Sequence, residues 1–180
     1  NITLDSVGSK ASGVYVTNFW NNSTSGSNWG DSNADLNDLN ITVNTKTGDA
    51  YGVESGYTPK EGDTEIDPNT VLFSSADTRI SVTSAEGSAY GIYASGQTTT
   101  EVTGNLSVTA AGVDDASTYS LCADAGLLKV TGSNNTLTGN VAVKNGATFT
   151  LGNDSGSTTT LNGSFESDAT SSVTLNNANL

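Results

Sequence analysis

The feature that most constrains this chain is that it repeats itself. Ile2-Thr3-Leu4, followed by Ala11-Ser12-Gly13-Val14-Tyr15-Val16, returns as Ile41-Thr42-Val43 with Ala50-Tyr51-Gly52-Val53-Glu54-Ser55. It returns again as Ile80-Ser81-Val82 with Ala89-Tyr90-Gly91-Ile92-Tyr93-Ala94, and more loosely as Leu106-Ser107-Val108 with Tyr119-Ser120-Leu121-Cys122-Ala123. The first three starts lie 39 residues apart and the fourth 26 further on. From about residue 135 to 180 a shorter unit of 24 residues takes over, matching Gly139 to Gly163, Val141 to Phe165, Phe149 to Val173 and Leu151 to Leu175. Val102-Thr103-Gly104-Asn105-Leu106 also recurs as Leu137-Thr138-Gly139-Asn140-Val141. Each unit reads as short strands of period-two alternation separated by polar turns, too small to bury an apolar face alone. Stacking one coil on the next, with strands about 4.8 Å apart, solves that problem.

The expectation is therefore an all-β parallel β-helix, a solenoid of about six to seven coils. It forms a single segment over residues 1–180, with loop insertions near 17–38 and 57–70. Inward columns are expected at Val14/Val53/Ile92/Leu121, Leu4/Val43/Val82/Val108 and Leu151/Leu175. Gly, Ser, Thr and Asn (20, 24, 27 and 20 residues) make up half of the chain. Such a composition suits disorder equally well, but apolar columns that return in phase do not. Thr and Ser fit the outward pleat, and Gly and Asn supply corners. No apolar set has helical spacing over a helix-sized stretch. A β-sandwich stays open as the competing architecture.

Charge and residue types exclude much chemistry. Nineteen acidic and six basic residues leave a net charge of −13, which repels nucleic acid and anionic lipid surfaces. The chain has no His, so a Ser-His-Asp triad, a Cys-His pair and histidine metal ligands cannot be built from it. Its one Cys, Cys122, excludes an internal disulfide. No apolar run is long enough to span a bilayer. The N-terminal Asn1-Ile2-Thr3-Leu4 has neither Met nor a signal region, so the chain is expected to be a segment of something longer.

Ile80 to Gly96 and Thr136-Leu137-Thr138-Gly139-Asn140-Val141 resemble the passenger regions of Gram-negative autotransporters. The resemblance covers nearly the whole chain and is one of style, without an invariant catalytic motif. It implies a right-handed parallel β-helix that is secreted or displayed at the outer-membrane surface, with contact to the membrane only through a barrel outside this chain.

Several motifs invite a functional reading. Gly152-Asn153-Asp154-Ser155-Gly156-Ser157 approaches the nucleophile loop of chymotrypsin-like proteases, but an Asn intervenes and no His can activate Ser155, so a corner between coils is expected. Asp31-Ser32-Asn33-Ala34-Asp35 has the oxygen spacing that opens a calcium loop, but Leu36 and Thr42 stand where Gly and Glu are needed, leaving a solvated loop. Asp114-Asp115 raises the possibility of a polysaccharide hydrolase or lyase. Arg79 is the only Arg and the five Lys are scattered, so no enzyme, metal or cofactor is expected. The insertions hold Phe19, Trp20, Trp29 and Tyr57, which either contact a partner or fold back over the coil edge. Cys122 aligns with Tyr15, Glu54 and Tyr93, a column whose Glu predicts an outward, partly exposed thiol.

The function expected is non-catalytic contact: adhesion to a host glycan or protein receptor, or association with another copy of the chain. The competing class is a polysaccharide-active enzyme, favoured if three or more charged side chains converge in one groove. An ice-binding face is disfavoured, because Thr148-Phe149-Thr150 is not matched strictly by Ser172-Val173-Thr174.

Overall fold

A computed structural model of the chain describes residues 1–17, 33–57, 69–74, 77–96 and 98–179. The first coil consists of β1 (Ile2–Ser6), β2 (Ala11–Val16) and β3 (Asn33–Leu36), and the second of β4 (Asn40–Thr45), β5 (Ala50–Tyr57) and β6 (Asn69–Phe73). The third has β7 (Asp77–Ser84), β8 (Ala89–Gly96) and β9 (Thr98–Val102); the fourth has β10 (Asn105–Ala111), β11 (Thr118–Asp124) and β12 (Leu127–Val130). The fifth has β13 (Asn134–Thr138), β14 (Asn140–Lys144) and the first part of β15 (Thr148–Asn162). The rest of β15 opens a sixth coil, completed by β16 (Phe165–Ser167) and β17 (Ser172–Asn179). Among the described residues the only helical turn is the 3-10 turn Asp115–Ser117.

Corresponding strands pair in parallel, so the coil has three walls: β1-β4-β7-β10-β13-β15, β2-β5-β8-β11-β14-β16 and β3-β6-β9-β12-β15-β17. This is a parallel β-helix. Because β15 belongs to two walls, it joins the first and third into one sheet, and the second wall is a sheet of its own.

Period-two alternation in the first and third walls places every second side chain inside, with Leu4 and Leu175 in the first and last coils 36% and 50% exposed. In the second wall the alternation breaks, and Gly52 with Val53 and Gly91 with Ile92 both face inward. In the second wall Val14, Val53, Ile92, Leu121, Val141 and Phe165 lie in one column. In the third wall Leu36, Phe73, Val102, Val130, Leu151 and Leu175 form another. Leu4, Val43 and Val82 stack in the first wall as expected, but Ala110 continues that column. Val108 instead pairs with Ile80, two residues from the alignment expected. A two-residue slip leaves parity unchanged, so hydrophobic alternation does not detect it. The likeness of Val102–Leu106 to Leu137–Val141 is likewise between two different corners: Val102 pairs with Phe73 and Val130, whereas Leu137 pairs with Val108 and Leu161. The 24-residue repeat holds from Asn134↔Thr158 to Gly152↔Asn176, after which the register shifts.

The span read as the first insertion ends in a strand, since Asn33–Leu36 forms β3 and its Ala34 and Leu36 pack against the core. Asn33 to Asp35, the later part of the calcium-like motif, is therefore strand. Tyr57 closes β5, its backbone paired with Gly96. Gly152 and Gly156 have φ of 97° and 90° within β15, which bends the chain from one wall into the next and gives the expected corner.

Gly13, Gly52 and Gly91 sit at a close contact between each coil and the next. A β-carbon would come within 2.8 Å of the Gly52 carbonyl oxygen at Gly13, 2.6 Å of the Gly91 oxygen at Gly52 and 2.5 Å of the Ser120 oxygen at Gly91. Each would also strike a β-branched side chain of the first wall: Ile41, Ile80 or Val108. In the fourth coil Ser120 takes this position, fully buried, and its hydroxyl donates to the Gly139 carbonyl at 2.9 Å. Gly91→Ala is expected to lower unfolding free energy by about 1–3 kcal/mol, because core overpacking has that cost. Urea denaturation checks it, and an unchanged midpoint would show that the coils have slack at this contact.

Candidate functional site on the outer face of the second wall

Outward side chains of the second wall build a layer of their own. The Tyr51, Tyr90 and Tyr119 rings stack at centroid distances of 4.9 and 5.1 Å with planes 8° and 5° apart, following the pitch of the coils. Tyr93 meets Tyr51 and Tyr90 edge-on at 5.6 and 5.2 Å, the other favoured aromatic geometry. The sequence carried this signal as Tyr51-Gly52, Tyr90-Gly91 and Tyr119-Ser120 at one repeat position, but its reading as a ring stack was missed.

Ionic groups close both ends of the layer. At one end Lys10 pairs with Glu54 and stands 4.9 Å from the Tyr51 ring and 5.4 Å from the Tyr15 ring, while Ser12 donates to the other Glu54 oxygen at 2.6 Å. At the other end Asp124 accepts from the Tyr93 hydroxyl at 2.9 Å and from the Asn145 amide at 2.7 Å, with Lys144 at 3.4 Å. Burial opposes ionisation of Asp124, but the bonds from Asn145 and Tyr93 and the Lys144 charge outweigh it and lower its pKa.

Cys122 occupies the column expected for it, in register with Tyr93 and through it with Glu54 and Tyr15. The expectation of partial exposure is wrong, because its accessible surface is 0%. Parity sends the thiol outward, but the aromatic layer lies over that side of the sheet. Burial pushes its pKa up to about 12, the Asp124 charge adding to the shift and Lys144 opposing it.

Beyond Tyr119 the surface becomes concave. A groove of about 830 Å³ runs past the 3-10 turn and is lined by Asp114, Asp115 and Glu166 among others. Glu166 also borders a smaller pocket of about 270 Å³ beside Tyr119 and Lys144. All three carboxylates of the larger groove are exposed, and no Lys or Arg lines it among the described residues. Among the described residues no group of His, Cys, Asp or Glu is arranged to hold a metal ion.

The first wall presents a different surface. Thr3, Thr42, Ser81, Thr109, Thr138 and Asn162 form one outward row, and Asn40, Arg79, Ser107, Thr136 and Thr160 form the next. Charge on this wall is limited to Asp5, Asp77 and Arg79, the last two lying 3.6 Å apart. Phe19, Trp20 and Trp29, expected to contact a partner, lie outside the described residues. Comparison of the chain with protein-family models, curated proteins and solved structures finds no match.

Thiol labelling at rising pH tests the aromatic layer. The thiol and the Tyr51, Tyr90 and Tyr93 hydroxyls have pKa values raised by burial, so the native state holds protons that the unfolded state releases above about pH 8.5 for Cys and pH 10 for Tyr. Stability is then full below those values and falls as pH rises beyond them. Native protein at pH 8 is expected to resist iodoacetamide until urea unfolds it, with resistance declining progressively as pH rises beyond about 10 and the layer loses stability. Rapid alkylation of native protein at pH 8 would mean that the layer is open.

Proposed function

We propose that the chain is a non-catalytic contact segment of a secreted or surface-displayed protein, of the autotransporter-passenger kind, and that it associates with a second copy of itself through the first wall. The observation that carries this reading is the charge distribution. In a chain of net charge −13, the first wall shows ordered Ser, Thr and Asn rows with two acids and one Arg. Two copies meeting there place few like charges together and can exchange hydrogen bonds without a large apolar patch. Thr side chains are already restricted at χ1, so little rotamer entropy is lost. The expected outcome is concentration-dependent association in sedimentation velocity between about 10 µM and 1 mM, a weak-affinity range. Clustering of protein-coated beads should accompany it. Thr109→Lys with Thr136→Lys should abolish both at unchanged circular dichroism. Wild-type protein that stays monomeric on dispersed beads removes the reading.

A second reading rests on Asp114, Asp115 and Glu166 lining one groove, which meets the condition set for a polysaccharide-active enzyme. Two carboxylates across a groove suffice for hydrolysis in principle. Incubation with neutral and acidic polysaccharides, followed by reducing-end and 235 nm assays, tests it. Product release lost in Asp115→Asn and Glu166→Gln would replace the contact reading, and no release from any substrate would discard the enzyme.

A further inference from the structure

The ring stack stops two strands short of the end of the second wall. After Tyr51, Tyr90 and Tyr119 the next residue in the column is Asn140. Its amide turns to the corner, donating to the Asp115 carbonyl at 2.6 Å and accepting from the Ser164 N–H at 3.0 Å. In the adjacent outward column Ala142 stands between Cys122 and Glu166. Ring-sized rungs thus give way to small ones, and Tyr119 borders the pocket of about 270 Å³ on the side away from Tyr90. Lys144, Glu166 and Asp168 surround the opening. Asp168 is held in place by the Asn145 N–H at 2.6 Å and the Thr170 hydroxyl at 2.8 Å, and Lys144 by Asp124 at 3.4 Å.

We propose that this pocket binds one uncharged pyranose ring of a glycan, which takes the place of the missing rung on Tyr119. The C–H face of a pyranose is electropositive and packs against the negative face of an aromatic ring. Its hydroxyls, pointing outward around the ring, can donate to Glu166 and Asp168 and accept from Lys144. The volume lies just below the roughly 300–1,000 Å³ of pockets for drug-sized ligands, so it suits one ring. Two acids against one already-paired cation disfavour a uronic or sialic acid. An aromatic side chain of a protein would cover Tyr119 but offer the two carboxylates few donors while removing their water. The pocket lies on a different wall from the Ser/Thr/Asn rows, so the site stands or falls independently of self-association.

Saturation-transfer NMR with chitotriose, maltotriose, a hyaluronan tetrasaccharide and N-acetyltyrosinamide tests the proposal. At least one neutral trisaccharide should bind, with saturation centred on one ring. The acidic tetrasaccharide should not bind. Tyr119→Phe should retain binding, Ala142→Phe should fill the pocket and abolish it, and Glu166→Gln should weaken it about fivefold, the loss of one hydrogen bond. Thermal melts identify any variant that fails to fold, and Glu166→Gln, on an exposed side chain, keeps the test decisive if Ala142→Phe does so. No signal from either trisaccharide, binding indifferent to the folded variants, or preference for the acidic sugar or N-acetyltyrosinamide would each overturn it.

Discussion

Everything in this structure depends on the parallel ladder between coils. Backbone hydrogen bonds hold successive strands about 4.8 Å apart and place each side chain directly over its equivalent one coil away. A residue type is therefore chosen for its ability to stack on itself. Val, Ile, Leu and Phe satisfy that inside. Asn and Asp satisfy it outside by bonding across coils, as Asn44 does to Asp5 at 2.8 Å and Asn105 to Asp77 at 3.2 Å. Tyrosine satisfies it with its ring face. Glycine does so at Gly13, Gly52 and Gly91, where the second wall presses on the first and no side chain fits.

The second wall is consequently packed on both sides. Inward, it contributes a column from Val14 to Phe165; outward, the tyrosines form a shallow second core with Cys122 beneath. Each stacked or edge-on ring pair contributes about 0.5–1.5 kcal/mol beyond the area it buries. Lys10–Glu54 and Lys144–Asp124 are partly exposed, and pairs of that kind contribute little stability alone. Their role is to finish the layer: they satisfy carboxylates that the rings drive partly out of water. Where the layer ends, at Tyr119, it leaves a ring face with polar groups around it.

The coil architecture was legible because stacking like on like writes its period into the sequence. The column Val14/Val53/Ile92/Leu121 and the Leu151/Leu175 pair recur in phase along the sequence and are ladder partners. Val108 was misplaced because Leu106-Ser107-Val108 mimics Ile80-Ser81-Val82 and a shift of one pleat costs the pattern nothing. Cys122 shows a different limit. Parity gives the side of the sheet a residue faces, but not what its neighbours three or four positions away lay over it. The tyrosine stack is present in the repeat as Tyr51, Tyr90 and Tyr119, but alternation does not show outward rings covering one another. The pocket beside Tyr119 arises at Asn140 and Ala142, where the repeat changes length.

That change of length also separates the two faces. The first wall keeps straight outward rows through coils of very different length, because insertions fall at corners and leave its register intact. On the second wall, by contrast, the fourth coil inserts the 3-10 turn before β11 and the fifth shortens the corner before β14, which opens the concave region lined by Asp115 and Glu166. A self-association surface needs a flat, repetitive, weakly charged plane, whereas a ligand site needs a break in repetition where unlike groups converge. Like charges repel over a Debye length of roughly 8 Å at physiological salt, so the acids around the cleft hinder a second copy from docking there. Under the proposed function, the same net charge directs contact between copies to the first wall, and the proposed ligand site lies on the second.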